Sequence, residues 1–517
     1  MQTIQILWVD DEVDLLKPHF LFLQSRGYLT HPCTNGQEAL SMVKQQHFDV
    51  VLLDENMPGL NGLETLTLLK TEHPNLPVIM VTKNEEEHIM EEAIGSKISD
   101  YLIKPVNPNQ ILLSLKKTLD HQSLITEKTT FNYQKEFQKI SLELMDINSF
   151  EDWATFYKKL VFWELELQNL DDSSMPEIFE NQLKEANALF GKFIDQNYLD
   201  WMEDQETAPL LSHKVFKNKV FPRLQKDTPT LLLVIDNLRW DQWKTIEPLL
   251  NKYYQKEEET VHYSILPTAT QYARNAFFAG LTPAEIKKHY PQYWKDDNEE
   301  GGKNLYEEAL LQLQLERLHA DFKPNYVKVT NLKAAKSLSD TLRKNKNEVL
   351  TTVVYNFVDM ISHAKSEMEI IKELASDNKG YRSLTESWFK NSPLLEALQV
   401  AQKENYNIIL TTDHGTINVT SPLEVVGDKE TSMNLRYKTG RNLKYPAKKV
   451  LEVDDPEKAH LPNLSINSKF IFAKEANYFV YPQNYHHFAN LFQNTYQHGG
   501  ISMEEMLIPF VFLKPKK

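Results

Sequence analysis

Residues 4–11 read IQILWVDD and residues 50–54 read VVLLD, so two apolar runs each end directly in carboxylates. A third apolar run follows at residues 78–81. Segments with helical periodicity separate these runs as far as about Leu119. This alternation predicts parallel βα units, and therefore a doubly wound α/β domain at the N-terminus.

Polar side chains follow the apolar runs of this first domain. Asp10, Asp11 and Asp54 are expected to converge, because ligands bind at the carboxyl ends of the strands in a doubly wound sheet. Three carboxylates suit Mg²⁺, which prefers oxygen ligands and leaves positions for phosphate oxygens. Thr82 and Lys104 end two further runs and could contact phosphate oxygens at the same rim. Each residue alone is more simply a surface or turn residue, but together they predict phosphoryl chemistry.

This segment resembles the receiver domain of bacterial response regulators. The matching residues, in order, are Asp10-Asp11, Asp54, Met57-Pro58-Gly59, Asn61-Gly62, Thr82, Tyr101 and Lys104-Pro105. The resemblance implies that Asp54 accepts a phosphoryl group. The implied Mg²⁺ ligands are Asp10, Asp11 and Asp54. The residues implied to respond to phosphorylation are Thr82, Tyr101 and Lys104.

Strand signals disappear between about Gln122 and Leu224, where apolar residues recur at helical spacing. We interpret this region as a central α-helical bundle that acts as a spacer. A chain of 517 residues is too long for one hydrophobic core. We therefore expect three domains: a receiver at 1–120, the bundle at 121–225 and a C-terminal domain at 226–517.

Strand-like runs return after Asp227, and helical patterns between them predict a second, larger α/β domain. Potential metal ligands follow these runs or precede the final one: Asp236, Asp359, His363, Asp413, His414 and His498. Asp359 and His363 have the i, i+4 spacing that places two side chains on one helical face. Mixed carboxylate and imidazole ligands suit Zn²⁺ or Mn²⁺ better than Ca²⁺.

The chemistry also needs a nucleophile, and two threonines are candidates. Thr268 and Thr270 precede a helical pattern that runs to Gly280. A hydroxyl at a helix N-terminus beside a metal ion could be stabilised as an alkoxide. Either threonine could instead be a simple N-cap residue.

In order, these segments resemble the PglZ branch of the alkaline phosphatase superfamily. The family's spacing between nucleophile and glycine favours Thr270, since Gly280 follows ten residues later. One implied zinc ion has the ligands Asp236, Thr270, Asp413 and His414, and the other has Asp359, His363 and His498. The resemblance implies a phospho-enzyme on Thr270 that water then hydrolyses. Threonine in place of serine favours phosphodiesters over phosphomonoesters.

The whole arrangement resembles the PorX-type response regulators. This resemblance implies a two-component system with a PorY-type histidine kinase and control of type IX protein secretion. It also implies zinc-dependent cleavage of oligonucleotides, cyclic ones included, and a homodimer promoted by phosphorylation. A sigma factor or a component of the secretion machinery is a further implied partner.

Composition excludes some other classes of protein. The net charge is −15, from 57 basic and 72 acidic residues, so the chain lacks the overall positive charge of proteins that wrap DNA. The single cysteine, Cys33, fits a reducing compartment. The first residues lack the features of a signal peptide, and no apolar stretch approaches the roughly 20 residues that span a bilayer. We therefore expect a soluble, cytoplasmic protein.

Two other functions fit the same residues. The C-terminal domain could be a module that binds a nucleotide or a partner protein, with incidental turnover. It could also be a different enzyme of the superfamily, a phosphomonoesterase or a sulfatase. Rates on phosphodiester, monoester and sulfate substrates would separate these enzymes.

Overall fold

A computed structural model describes residues 4–83, 98–168, 174–204, 207–361, 373–375, 377–428, 431–463 and 467–516. The chain forms two compact units, Met1–Glu136 and Phe137–Lys517. Within the described residues, no helix is both long enough and apolar enough to cross a membrane.

The first unit contains a five-stranded parallel sheet in the order β2-β1-β3-β4-β5. Its strands are β1 (Ile4–Val9), β2 (Tyr28–Cys33), β3 (Val50–Asp54), β4 (Val78–Thr82) and β5 (Asp100–Ile103). Its helices are α1 (Lys17–Gln24), α2 (Gly36–Gln45) and α3 (Gly62–Glu72). Every residue of β3 and β4 is buried, as expected for central strands covered on both faces. The doubly wound fold predicted from the sequence is confirmed.

Three long helices occupy the middle of the chain. These are α4 (Pro108–Asp146), which begins in the first unit and ends in the second, α5 (Phe150–Leu167) and α6 (Ser174–Glu203). Aromatic side chains pack α5 against α6, where the ring centroids of Trp153 and Phe190 are 5.2 Å apart. They also pack α6 against the rest of the second unit, where the ring centroids of Trp201 and Tyr263 are 5.6 Å apart. The helical middle is confirmed. The predicted boundary between residues 225 and 226 falls inside this unit and remains a prediction.

The second unit is built on a six-stranded sheet in the order β7-β18-β10-β6-β9-β8. Its strands are β6 (Thr230–Ile235), β7 (Tyr254–Tyr263), β8 (Asn325–Val329), β9 (Leu350–Tyr355), β10 (Asn407–Thr411) and β18 (Leu507–Pro515). Strands β8, β9, β6 and β10 are parallel, whereas β18 runs antiparallel to both of its neighbours. This mixed sheet confirms the predicted α/β class.

Further helices and short strands surround this sheet. The helices are α7 (Ser212–Val215), α8 (Trp240–Leu250), α9 (Thr270–Ala279), α10 (Pro283–His289), α11 (Glu307–Arg317), α12 (Leu332–Lys344), α13 (Asn378–Asn391), α14 (Pro393–Lys403), α15 (Tyr485–Phe492) and α16 (Met503–Met506). The short strands are β11 (Ile417–Val419), β12 (Ser421–Glu424), β13 (Tyr437–Gly440), β14 (Val450–Val453), β15 (Lys469–Ala473), β16 (Asn477–Val480) and β17 (Thr495–Gln497).

Candidate functional site

An acidic cluster lies at the carboxyl ends of β1 and β3. Asp10, Asp11 and Asp54 each offer a carboxylate oxygen, and these oxygens lie within 4.8 Å of one another. Lys104 contacts two of these acids, with its Nζ 2.8 Å from Asp10 Oδ2 and 3.0 Å from Asp54 Oδ2. Asp54 Oδ1 is buried and has no hydrogen-bond partner among residues 4–83 and 98–168 or elsewhere in the described chain. The oxygen ligands fit a divalent cation such as Mg²⁺.

Burial raises the pKa of the Asp54 carboxyl, and the adjacent Lys104 opposes this effect. A divalent cation would further favour the charged form that attacks a phosphoryl donor. The Thr82 hydroxyl donates a hydrogen bond to the Glu55 carboxylate, a partner that sequence reasoning missed. The Tyr101 side chain is partly exposed on β5.

In the second unit, three acids follow three neighbouring parallel strands. Asp236 follows β6, Asp359 follows β9 within the helical residues 357–361, and Asp413 follows β10. Strand β6 lies between β9 and β10, so the three chain segments leave the same edge of the sheet. This edge is where a doubly wound sheet binds its ligands.

The imidazole of His414 joins two of these acids to a threonine. His414 Nε2 lies 3.6 Å from Asp413 Oδ2, 4.0 Å from Asp236 Oδ1 and 3.0 Å from Thr270 Oγ1. His414 Nδ1 donates to the Gly415 carbonyl oxygen, which assigns the lone pair to Nε2. That lone pair accepts the Thr270 hydroxyl, and it is also the electron pair with which an imidazole binds a metal ion.

The chemistry of these atoms fits a metal ion. Asp236 Oδ1 and Asp413 Oδ2 are buried carboxylate oxygens without a hydrogen-bond partner in the part of the chain that the structure describes, and His414 Nε2 lies close to both. Burial raises the pKa of Asp236 well above its ordinary value, and the neighbouring Asp413 and Asp359 add to this effect despite Arg274. A divalent cation would offset this repulsion, and two carboxylates with one imidazole suit Zn²⁺.

The second predicted ligand set is described only in part. His363 lies outside the described residues. The ring of His498 stacks on His414 with centroids 4.2 Å apart, and its Nδ1 donates to the Thr268 carbonyl oxygen. Asp359 is close enough to raise the pKa of Asp236. The second ligand set therefore remains a prediction.

The two candidate nucleophiles have different surroundings. The Thr268 hydroxyl donates to the Gly500 carbonyl oxygen and accepts from the Gly499 N–H, so it fixes the loop that carries His498. Thr270 is the first residue of α9, and its hydroxyl faces His414. The geometry therefore favours Thr270 as the reacting group.

Two buried residues that sequence reasoning missed complete the surroundings of the cluster. The Arg274 guanidinium lies 2.6 Å from Asp236 Oδ2, and its Nε donates to Glu307. Arg274 follows Thr270 by four residues, a spacing visible in the sequence. Glu307 belongs to the distant helix α11, and nothing in the sequence pattern connects it to the cluster.

Comparison with known families accounts for most of the chain. The model described as "BREX system PglZ alkaline phosphatase-like domain" matches residues 215–513, more than half of the 517 residues. The chain belongs to this PglZ family. The PglZ domain is preceded by matches to the response regulator receiver domain, at residues 6–116, and to the PorX response regulator linker domain, at residues 123–202. The three matches confirm the resemblance to PorX-type response regulators.

Two individual relatives of this PglZ-family chain each match about a quarter of it. Transcriptional regulatory protein ZraR of Klebsiella oxytoca is 34% identical over 129 residues, which are 25% of this chain and 29% of ZraR. Transcriptional regulatory protein SrrA of Staphylococcus aureus is 33% identical over 115 residues, 22% of this chain and 47% of SrrA. This chain thus spans less than half the length of either relative.

Two solved structures are similar over the same region. Chemotaxis protein CheY4 of Vibrio cholerae shares 28% identity over 23% of this chain and 100% of CheY4, with a TM-score of 0.22. The receiver domain of NtrX from Brucella abortus shares 30% identity over 22% of this chain and 98% of that domain, with a TM-score of 0.22. The family matches make this PglZ protein a response regulator with a phosphatase-like effector.

Proposed function

We propose that the effector is a zinc-dependent phosphodiesterase acting on oligonucleotides, cyclic ones included, and that phosphorylation of Asp54 regulates it. The observation that carries the proposal is the contact between Thr270 and His414 inside the cluster with Asp236 and Asp413. One zinc ion would have the ligands Asp236, Asp413, His414 and Thr270, and the other would have Asp359, His363 and His498.

The residues of this chain divide the reaction between them. Thr270 Oγ1 loses its proton to water and attacks phosphorus in line with the leaving oxygen. A bond forms to Thr270, the bond to the leaving alkoxide breaks, and the alkoxide takes up a proton from water. Zinc ions, when bound, stabilise the negative charge on the attacking and leaving oxygens. The N-terminus of α9 adds its partial positive charge at Thr270. Water then cleaves the new phosphodiester between Thr270 and the bound nucleotide, which releases the nucleotide as a phosphomonoester and restores the Thr270 hydroxyl.

The receiver would supply the regulation. A histidine kinase transfers a phosphoryl group to Asp54, with Mg²⁺ held by Asp10, Asp11 and Asp54. The new negative charge attracts the Thr82 hydroxyl and the Lys104 ammonium, and reorders the face that contains Tyr101. The resemblance to PorX-type regulators extends the proposal to a phosphorylation-promoted homodimer and to control of type IX secretion.

The test is an assay of zinc-loaded, full-length protein on a dinucleotide, a phosphomonoester and a sulfate ester. Each substrate is measured with and without beryllofluoride, which mimics the phosphoryl group on Asp54. We expect the dinucleotide to be cleaved fastest, and faster with beryllofluoride. Thr270→Ser should retain turnover, whereas Thr270→Ala should lose it.

Other outcomes would redirect the assignment. Preference for the monoester or the sulfate ester would identify a different enzyme of the superfamily. Zinc bound at full occupancy with no turnover of any substrate would favour a module that binds a nucleotide or a partner protein.

A further inference from the structure

Arg274 introduces a fixed positive charge into the cluster of candidate metal ligands. It lies one helical turn after Thr270 on α9, and its side chain is 1% exposed. Its Nη1 is 2.6 Å from Asp236 Oδ2 and 3.7 Å from Asp413 Oδ2, and its Nε donates to Glu307 Oε1 at 2.6 Å. A buried arginine therefore shares one carboxylate with the metal site.

Asp236 and Asp413 each have one oxygen that a neighbouring group occupies and one that is available to a metal ion. In Asp236, Oδ2 pairs with Arg274, and Oδ1 has no hydrogen-bond partner among the described residues. In Asp413, Oδ1 accepts from Thr412 Oγ1 at 3.2 Å and from the Asn237 N–H at 3.4 Å. Within the described part of the chain, Oδ2 has no hydrogen-bond partner. Both acids are thus arranged to bind a metal through a single oxygen.

Glu307 holds the guanidinium in place from the opposite side. Its carboxylate accepts hydrogen bonds from Asn304 and Tyr326, and it lies 2.8 Å from the Lys328 ammonium. These contacts keep Glu307 charged, and its side chain is 2% exposed. Movement of Arg274 away from Asp236 would leave buried charges uncompensated, which is costly. The rigid guanidinium fork also allows Arg274 to donate to Glu307 through Nε while Nη1 faces both acids of the cluster.

We propose that Arg274 is a positioning residue that determines the metal preference of this site, because it prevents Asp236 from binding through both oxygens. The inference rests on the proposed function, since it requires a metal ion held by Asp236, Asp413 and His414. Zn²⁺ is satisfied by about four ligands, whereas Mg²⁺ needs about six oxygen ligands and Ca²⁺ six to eight. A site restricted to single carboxylate oxygens therefore favours Zn²⁺ over ions that need more oxygen ligands.

The test compares the full-length wild-type protein with Arg274→Met, using metal binding as the readout. Co²⁺ is the spectroscopic probe, because four-coordinate Co²⁺ absorbs visible light strongly and six-coordinate Co²⁺ absorbs weakly. We expect strong absorption in the wild type and weaker absorption in Arg274→Met. Competition between Zn²⁺ and Mn²⁺ should show a roughly tenfold smaller preference for Zn²⁺ in the variant.

A matched control replaces another buried arginine. Arg382 pairs with Glu164 and Asp241, neither of which is a candidate metal ligand, so Arg382→Met should leave the Zn²⁺ preference unchanged. Arg274→Lys preserves the buried positive charge but lacks the fork, and it should shift the preference in the same direction by a smaller factor. This variant keeps the test decisive if Arg274→Met does not fold.

The outcomes separate this inference from the proposed function. Weak, six-coordinate Co²⁺ absorption in the wild type would overturn the inference, as would an unchanged Zn²⁺ preference in a folded Arg274 variant. A wild-type protein that binds no metal in the second unit would overturn both. A protein that binds zinc with the expected selectivity but cleaves no phosphodiester would overturn only the proposed activity.

Discussion

The two acidic clusters of this chain occupy equivalent places in their sheets but differ in burial and in the cation beside them. In the first unit Asp11 is exposed, and the cation is the single ammonium of Lys104, which is 15% exposed. In the second unit Asp236, Asp413 and His414 are all buried, and the cation is the enclosed guanidinium of Arg274. The carboxyl ends of parallel strands therefore present two different sets of potential metal ligands in this chain.

The difference in burial has a chemical consequence. An open, all-carboxylate cluster suits Mg²⁺, which retains water molecules and exchanges readily as phosphoryl groups are gained and lost. A closed cluster that includes an imidazole suits Zn²⁺, which is retained through repeated turnovers. The comparison predicts that the first site is a switch and the second a permanent catalytic centre.

The largest expected effect comes from disabling one cluster at a time. Asp413→Asn removes a carboxylate ligand and should reduce phosphodiester turnover by roughly a thousandfold. Phosphorylation of Asp54 by acetyl phosphate, measured by intact-protein mass spectrometry, should be unchanged. Asp54→Asn should abolish phosphorylation and retain basal turnover. Loss of both properties in either variant would contradict this separation of roles.

Zn²⁺ should stabilise the second cluster more strongly than Mg²⁺ stabilises the first. Zn²⁺ at about a thousand times its Kd should add about 4 kcal/mol to the free energy of local unfolding, whereas Mg²⁺ at about ten times its Kd should add about 1 kcal/mol near β1 and β3. Hydrogen–deuterium exchange of peptides from β6 and β10 would measure the zinc effect. Equal protection of both regions would remove the proposed distinction.

Burial in the second unit should also produce a pH dependence of stability. Burial lowers the pKa of His213 from 6.5 to about 4, so the unfolded chain takes up this proton first as the pH falls. The free energy of unfolding is therefore highest above pH 6.5, and it decreases by about 3 kcal/mol as the pH falls from 6.5 to about 4. Urea unfolding of His213→Gln should show a smaller pH dependence. The exposed His47 of the first unit provides a control, and His47→Gln should behave as the wild type does.

The smallest expected effect concerns the switch of the first cluster. The Thr82 hydroxyl donates to Glu55, and phosphorylation of Asp54 would require it to turn to the phosphoryl group. Glu55→Ala removes the competing acceptor and should favour the phosphorylated conformation by about 1 kcal/mol, or about fivefold. NMR spectra with beryllofluoride would report the two populations. A Thr82→Ala background should eliminate the effect.

Sequence reasoning was most successful where ligands follow strands directly. Asp236 and Asp413 could be placed together because each ends an apolar run, and parallel strands bring such ends to one edge. His414 followed from its adjacency to Asp413. The i, i+4 spacing of Asp359 and His363 predicted a shared helical face, and Asp359 does lie in a helical segment.

What the sequence could not provide was the side-chain partners of these ligands. Glu307 reaches Arg274 from a separate helix, and Glu55 reaches Thr82 from a neighbouring strand end. Such pairs depend on three-dimensional packing between separate segments. The periodicity of apolar residues within one segment does not indicate which other segment it contacts. The mixed orientation of the larger sheet was also hidden, because an apolar run such as β18 has the same pattern in either direction.

The position of β18 has a consequence for how the protein is made. This strand, the last in the described chain, lies between β7 and β10 and pairs with both. During translation, β7 is therefore synthesised about 240 residues before its partner strand β18. The receiver is synthesised before the effector, whereas the large sheet of the effector keeps an unpaired edge until β18 has been synthesised. An exposed, unpaired strand edge favours aggregation, and chaperones protect such intermediates.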